Sequence, residues 1–76
     1  MIYIGMDISS KSFMVHAMNE KKQVVLNEEI KPTRGGLKEM IDKLGTQTKL
    51  VVFEAGNQLK WIALALLKIP GVHIHV

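Results

Sequence analysis

The sequence predicts one α/β domain with a mixed sheet, in which three strands precede two helix–strand units. Three observations predict it. Residues 2–30 alternate between apolar and polar types, as half-buried strands do. Residues 37–44 carry apolar side chains at helical spacing, and 50–53 is a short apolar run typical of a central strand. The expected order is β-β-β-α-β-α-β, and a chain of 76 residues allows one domain.

The first three strands follow from period-two alternation. In the first strand, one face is apolar throughout: Ile2, Ile4, Met6 and Ile8. In the second strand, one face carries Phe13, Val15 and Ala17. The polar turn 19–22 then leads to a third strand over 23–30. Together these strands are expected to form an antiparallel meander.

A helix is predicted after the meander. Pro32 ends the sheet pattern, Thr33 is a candidate helix cap, and Gly45 is expected just past the helix end. The helix has one apolar stripe: Leu37, Met40, Ile41 and Leu44. Gly35 and Gly36 weaken its first turn, which leaves its start open.

The last three elements are a strand, a helix and a strand. The strand is predicted over 49–55, and its four apolar residues at 50–53 imply burial on both faces. The second helix, apolar nearly all round, is predicted over 58–69 and ends at Pro70-Gly71. The fifth strand covers 72–76. Both crossovers are expected to be right-handed.

Composition excludes several classes of protein. A hydrophobic share of 47% excludes a disordered tail, and the absence of cysteine excludes disulfides and thiolate metal sites. No stretch approaches the roughly 18 apolar residues of a membrane span. Asp7 interrupts the apolar N-terminal run, so a signal peptide is not expected, and we predict a cytoplasmic protein. The net charge of +3 mildly favours polyanionic partners.

Two carboxylates follow apolar strand residues. Asp7 lies inside IYIGMDIS, and Glu54 ends the run KLVVFE. Carboxylates at such positions are seldom buried without a partner, so they call for a cation, a hydrogen-bond network or a ligand. If the first and fourth strands are parallel neighbours, both side chains can reach one hard cation, and Mg²⁺ prefers such oxygen ligands. A structural role for Asp7, capping a turn through Ser9 or Ser10, remains an alternative.

The chain resembles the N-terminal, RuvC-like part of the DEDD transposases of bacterial insertion sequences, a group related to pilin-gene-inverting recombinases. The resemblance is carried by IGMDISSKS at 4–12, TRGGL at 33–37, FEAGN at 53–57 and VHIHV at 72–76. It spans essentially the whole chain, although each motif alone is short. Where the family usually has Ala-Thr-Gly after the glutamate, this chain has Ala-Gly-Asn at 55–57.

The resemblance implies a partial ribonuclease-H-like domain over residues 1–76. It further implies that Asp7 and Glu54 are two of four acidic catalytic ligands for Mg²⁺ or Mn²⁺, and that DNA and a structured noncoding guide RNA are partners. The other two carboxylates of the family lie beyond this chain, so we expect the fragment to be catalytically silent. Lys11, Arg34 and Lys38 are candidate nucleic-acid contacts, although solvated surface charges are the usual role of such residues.

Other interpretations remain open. Sugar kinases and actin-like ATPases share the strand order and a similar first turn, and a non-catalytic dimerising or nucleic-acid-binding remnant is a third alternative. His73 and His75 share one strand face and are a weak candidate metal pair. Trp61 is expected in the core rather than stacked on a base. Exposed strand edges and the apolar second helix predict a homodimer.

Overall fold

A five-stranded mixed sheet with two helices forms this α/β domain. The structure is a computed structural model that describes residues 1–9, 11–53 and 59–75. Its elements are β1 (Ile2–Ile8), β2 (Phe13–Met18), β3 (Val24–Ile30), α1 (Arg34–Lys43), β4 (Lys49–Phe53), α2 (Leu59–Leu67) and β5 (Val72–His75). The strands lie in the order β3-β2-β1-β4-β5.

The predicted meander is confirmed, and the condition on which the predicted metal site depends, a parallel pairing of β1 with β4, is met. β1 pairs antiparallel with β2, and β2 pairs antiparallel with β3. β1 and β4 are parallel neighbours, as are β4 and β5. At the β2–β3 turn the Asn19 side-chain oxygen accepts hydrogen bonds from the backbone N–H groups of Lys21 (2.9 Å) and Gln23 (3.0 Å). Lys22 takes a left-handed φ of 64°, which completes the turn.

Helix α1 has the predicted caps. The Thr33 hydroxyl accepts a hydrogen bond from the backbone N–H of Gly36 at 3.0 Å. Gly45 follows the helix with φ 79°, a conformation that glycine adopts without steric cost. Gly36 is also required for packing, because a Cβ there would lie 2.2 Å from the carbonyl oxygen of Lys31. One of the two glycines predicted to weaken the first turn therefore allows α1 to approach the end of β3.

The core lies on one face of the sheet, between the strands and both helices. The strands contribute Ile2, Ile4, Met6, Phe13, Val15, Ala17, Val51, Phe53 and Val72 to it. The helices contribute Leu37, Met40, Ile41, Ile62 and Leu66. We call the opposite side of the sheet the open face.

The prediction that β4 is buried on both faces is wrong for the described part of the strand. Val51 and Phe53 are buried, but Val52, which points to the open face, is 41% exposed. The reason is topological. α1 joins β3 to β4 and α2 joins β4 to β5, so both connections cross the sheet in the same direction. Crossovers of the same hand then place both helices on the same face.

Helix α2 ends two residues earlier than the predicted end at residue 69. The helix stops at Leu67, because the residue before a proline disfavours helical geometry and Pro70 follows two turn residues. Trp61 packs against the core, with its ring centroid 6.0 Å from that of Phe13, as expected. Within the described ranges, no helix is long and apolar enough to cross a membrane.

Candidate metal centre

Asp7 lies near the carboxyl end of β1, on the open face of the sheet. It alternates with the buried Met6 and is itself exposed to solvent. Its neighbour across the β1–β2 ladder is Met14, which is 45% exposed. Asp7 is therefore a carboxylate on the central strand that solvent and ions can reach.

Glu54, the second predicted ligand, lies outside the described residues. The last described pair of the β1–β4 ladder joins Met6 to Phe53. In the sequence, Asp7 directly follows Met6 and Glu54 directly follows Phe53. The described strands are thus parallel, adjacent and in register up to the residue before each predicted ligand.

The Asp7 carboxylate has no hydrogen-bond or ion-pair partner within residues 1–9, 11–53 and 59–75. The alternative in which Asp7 caps a turn through Ser9 is not what the structure has. The Ser9 hydroxyl instead donates to the carbonyl oxygen of Ser12 at 2.8 Å and accepts from the Ser12 N–H at 3.2 Å. The β1–β2 turn is closed by these two serines, and Ser10 lies outside the described residues.

Among the other acidic and imidazole groups on the open face, His16 on β2 is the nearest to Asp7 by register, since it lies opposite Gly5 and therefore diagonally across the ladder from Asp7. Glu29 is in the same cross-sheet row, but Met14 separates the two, which places their strands roughly 10 Å apart. His73 and His75 are exposed on β5, beyond β4, where they share one strand face as predicted. In the part of the chain that the structure describes, no group of three His, Asp or Glu residues is close enough to hold a metal. Of the two predicted ligands, the structure describes Asp7, and its pairing with Glu54 stays a prediction.

The three predicted nucleic-acid contacts separate into two locations. Lys11 is exposed in the β1–β2 turn, at the same end of β1 as Asp7. Arg34 and Lys38 lie together on α1, on the other side of the sheet, where they line a groove between the two helices. Sequence reasoning did not associate Lys68 with them, although it lines the same groove. In the sequence, Lys68 is recognisable only as a cation near the end of the helix predicted over 58–69.

Lys43, at the end of α1, does not line that groove and instead contacts Glu28 on β3. Its ammonium group donates to a carboxylate oxygen of Glu28 on β3 at 2.7 Å. This hydrogen bond, with the attraction between the two charges, raises the pKa of Lys43 above its ordinary value. Lys43 therefore ties α1 to the edge of the sheet.

Comparison with known proteins adds no assignment. No protein family, curated protein or solved structure matches the chain.

Proposed function

We propose that this chain is the N-terminal, ribonuclease-H-like part of a DEDD transposase, and that Asp7 and Glu54 bind a divalent metal ion. One observation carries the proposal. Asp7 is an exposed carboxylate, without a hydrogen-bond or ion-pair partner among the described residues, near the carboxyl end of the central strand β1, whose parallel neighbour β4 leads in the sequence directly to Glu54.

The placement of Asp7 suits a hard, hydrated cation. In open α/β sheets, ligands bind at the carboxyl ends of the parallel strands. Mg²⁺ retains several waters and is commonly held by one or two carboxylates together with substrate phosphates. The open face leaves room for such waters and phosphates, since neither helix covers it.

In a full-length transposase, this site would serve DNA strand cleavage and transfer. A bound divalent ion would supply charge stabilisation for phosphoryl transfer. The role proposed for Asp7 and Glu54 is to hold and orient that ion on adjacent strands. DNA and a structured guide RNA are the proposed partners. The isolated chain, which contributes two of four ligands, should not nick supercoiled DNA in Mn²⁺.

Calorimetric titration with Mn²⁺ and Mg²⁺ tests the site. We expect weak binding that is lost in Asp7→Asn and in Glu54→Gln. Glu29→Gln is the matched control, because Glu29 is a carboxylate on the same face and in the same cross-sheet row as Asp7. Equal loss in the Glu29 variant, or binding that survives in both ligand variants, would contradict the proposed site.

Titration with Mg²⁺-ATP distinguishes the transposase proposal from the alternative of a kinase-like ATPase. A phosphate-binding turn presents free hydroxyl and N–H donors to the nucleotide. In this chain, the Ser9 hydroxyl donates to the Ser12 carbonyl oxygen, and the Ser12 N–H donates to the Ser9 hydroxyl oxygen. Both donors are therefore already used within the β1–β2 turn. We therefore expect no ATP binding, and ATP binding with an affinity better than that for Mg²⁺ alone would favour the ATPase class.

A further inference from the structure

A groove between α1 and α2 has an apolar floor and a positively charged rim. Its volume is about 350 Å³, and it lies on the helix side of the sheet, away from Asp7. The floor is formed by Leu37, Ala65 and Ile69. Leu37 is fully buried and the other two pack against the core, so the floor is part of the folded interior rather than a loose surface.

Three cations and one carboxylate surround this floor. Arg34 and Lys38 are four residues apart on α1 and therefore share one side of the helix. Lys68 faces them from just beyond α2, and Asp42 lies one further turn along α1. No ion pair involving these cations is formed within residues 1–9, 11–53 and 59–75, and Asp42 does not pair with Lys38. The rim is thus left with an excess of positive charge.

The orientation of α1 adds to this charge. Arg34 is the first residue of the helix, whose last turn lies near Asp42. The N-terminal end of a helix carries a partial positive charge and attracts anions. An anion in the groove near Arg34 and Lys38 would be attracted by both side chains and by the helix end.

We propose that this groove binds a small amphiphilic anion, with an apolar body on the floor and a carboxylate, sulfonate or phosphate group at the Arg34–Lys38 rim. The groove volume is at the lower end of the range for small-molecule sites, roughly 300–1,000 Å³. A purely polar anion would leave the apolar floor uncovered, and a neutral apolar ligand would leave the three cations unpaired. The ligand class therefore combines both properties.

Decanoate and decanol together test the proposal, because they share an apolar chain and differ in charge. We expect decanoate to bind the intact chain, and decanol to bind at least tenfold more weakly, since a charge-assisted hydrogen bond contributes roughly that factor or more. Amide chemical shifts measured by NMR should move at Leu37, Ala65 and Ile69. Equal binding of both ligands, or shifts centred on the open-face residues Tyr3 and Val52, would overturn the proposal.

Charge-neutralising variants provide the second arm. Arg34→Gln with Lys38→Gln should weaken decanoate binding roughly tenfold while leaving decanol binding unchanged. Lys60→Gln is the matched control for the single variant Lys38→Gln, because each removes one lysine charge from an exposed helix position and only Lys38 lines the groove. Asp7→Asn should also leave decanoate binding unchanged, so this proposal can fail or hold independently of the metal site. An equal loss in Lys60→Gln would show only a general charge effect and would overturn the groove as the site.

Discussion

Met6 on β1 lies directly opposite Phe53 on β4 in a parallel ladder, and both side chains are buried in the core. This pair fixes the register of the two central strands at their carboxyl ends. Each of the two proposed ligands follows one member of the pair in the sequence. The proposed metal site therefore depends on a register that the core itself holds in place.

Removing both proposed ligands should stabilise the metal-free protein. Two close carboxylates repel each other, so folding would carry an electrostatic cost that the double variant removes. Asp7→Asn with Glu54→Gln should then raise the free energy of unfolding by roughly 1 kcal/mol in chelator, measured by denaturant titration. The control is Glu29→Gln with Asp42→Asn, which removes the same number of carboxylates elsewhere. Equal stability of the ligand variant and the parent would count against a shared pocket.

Gly36→Ala should destabilise the fold, and Gly35→Ala should not. A Cβ on Gly36 would lie 2.2 Å from the Lys31 carbonyl oxygen, which is backbone and cannot move away cheaply. We expect a loss of at least about 2 kcal/mol. A Cβ on Gly35 would have only an ordinary contact, 3.8 Å from the Thr33 hydroxyl oxygen, so alanine there should add about 0.5–1 kcal/mol. Urea unfolding midpoints of the two variants test this, and similar midpoints would contradict the close approach of α1 to β3.

Lys49→Met should loosen the connection between α1 and β4. Lys49 is only 3% exposed, and its ammonium group donates to the carbonyl oxygens of Gly45 at 2.7 Å and Gln47 at 2.6 Å. Methionine keeps most of the apolar stem but leaves both carbonyls without this donor, at a cost of about 1–3 kcal/mol. Lys21→Met, at an exposed turn position, should change stability by less than about 0.5 kcal/mol. A stability loss no greater than that of the control would show that these hydrogen bonds contribute little.

The proposed homodimer should form through the β5 edge. The opposite edge, β3, is protected by a register shift in its pairing with β2 and by Glu28 and Glu29. The described residues of β5 carry no acidic or basic residue other than histidine. Leu64 and Leu67 on the neighbouring helix α2 are 53% and 58% exposed. Light scattering at micromolar concentration should therefore give a mass above that of the monomer.

Variants on α2, next to the β5 edge, and on the β3 edge locate that interface. Leu64→Glu with Leu67→Glu should return the scattering mass to that of a monomer. Val24→Glu, at a 56% exposed position on β3, should leave the dimer intact. A parent protein whose mass does not change with concentration would refute the dimer, and dissociation by Val24→Glu alone would move the interface to the other edge.

Much of the fold could be predicted from the sequence because local patterns and tertiary packing agree. The alternation of Ile2, Ile4 and Met6 matches the buried face of β1, and the Thr33 and Gly45 caps bound α1 as expected. The exposure of Val52 could not be read from its apolar run, since it depends on both helices lying on the same face. A run of apolar residues shows that a strand can be buried on both sides, not that both sides are covered.

Lys49 and the interhelical groove show two further limits. Lys49 reads as a polar residue at a strand start, but it is in period with the buried Val51 and Phe53, and that spacing was the available signal. The meeting of Lys68 with Arg34 and Lys38 depends on how α2 ends relative to α1. The spacing of residues along the chain does not determine the distance between Lys68 and the two cations on α1. Only the packing of α2 against α1 brings these charges together.

Paramagnetic line broadening by Mn²⁺ tests the central claim most directly. A Mn²⁺ ion held by Asp7 and Glu54 should broaden the amide signals of Met6, Ile8 and Phe53 at the lowest metal concentration, and that of His73, which lies two strands from Asp7 and level with Leu50, only at higher metal. Asp7→Asn should abolish the effect, and Glu29→Gln should not. Broadening centred on the two histidines, or broadening around Met6 and Phe53 that persists in Asp7→Asn, would contradict the proposed metal site.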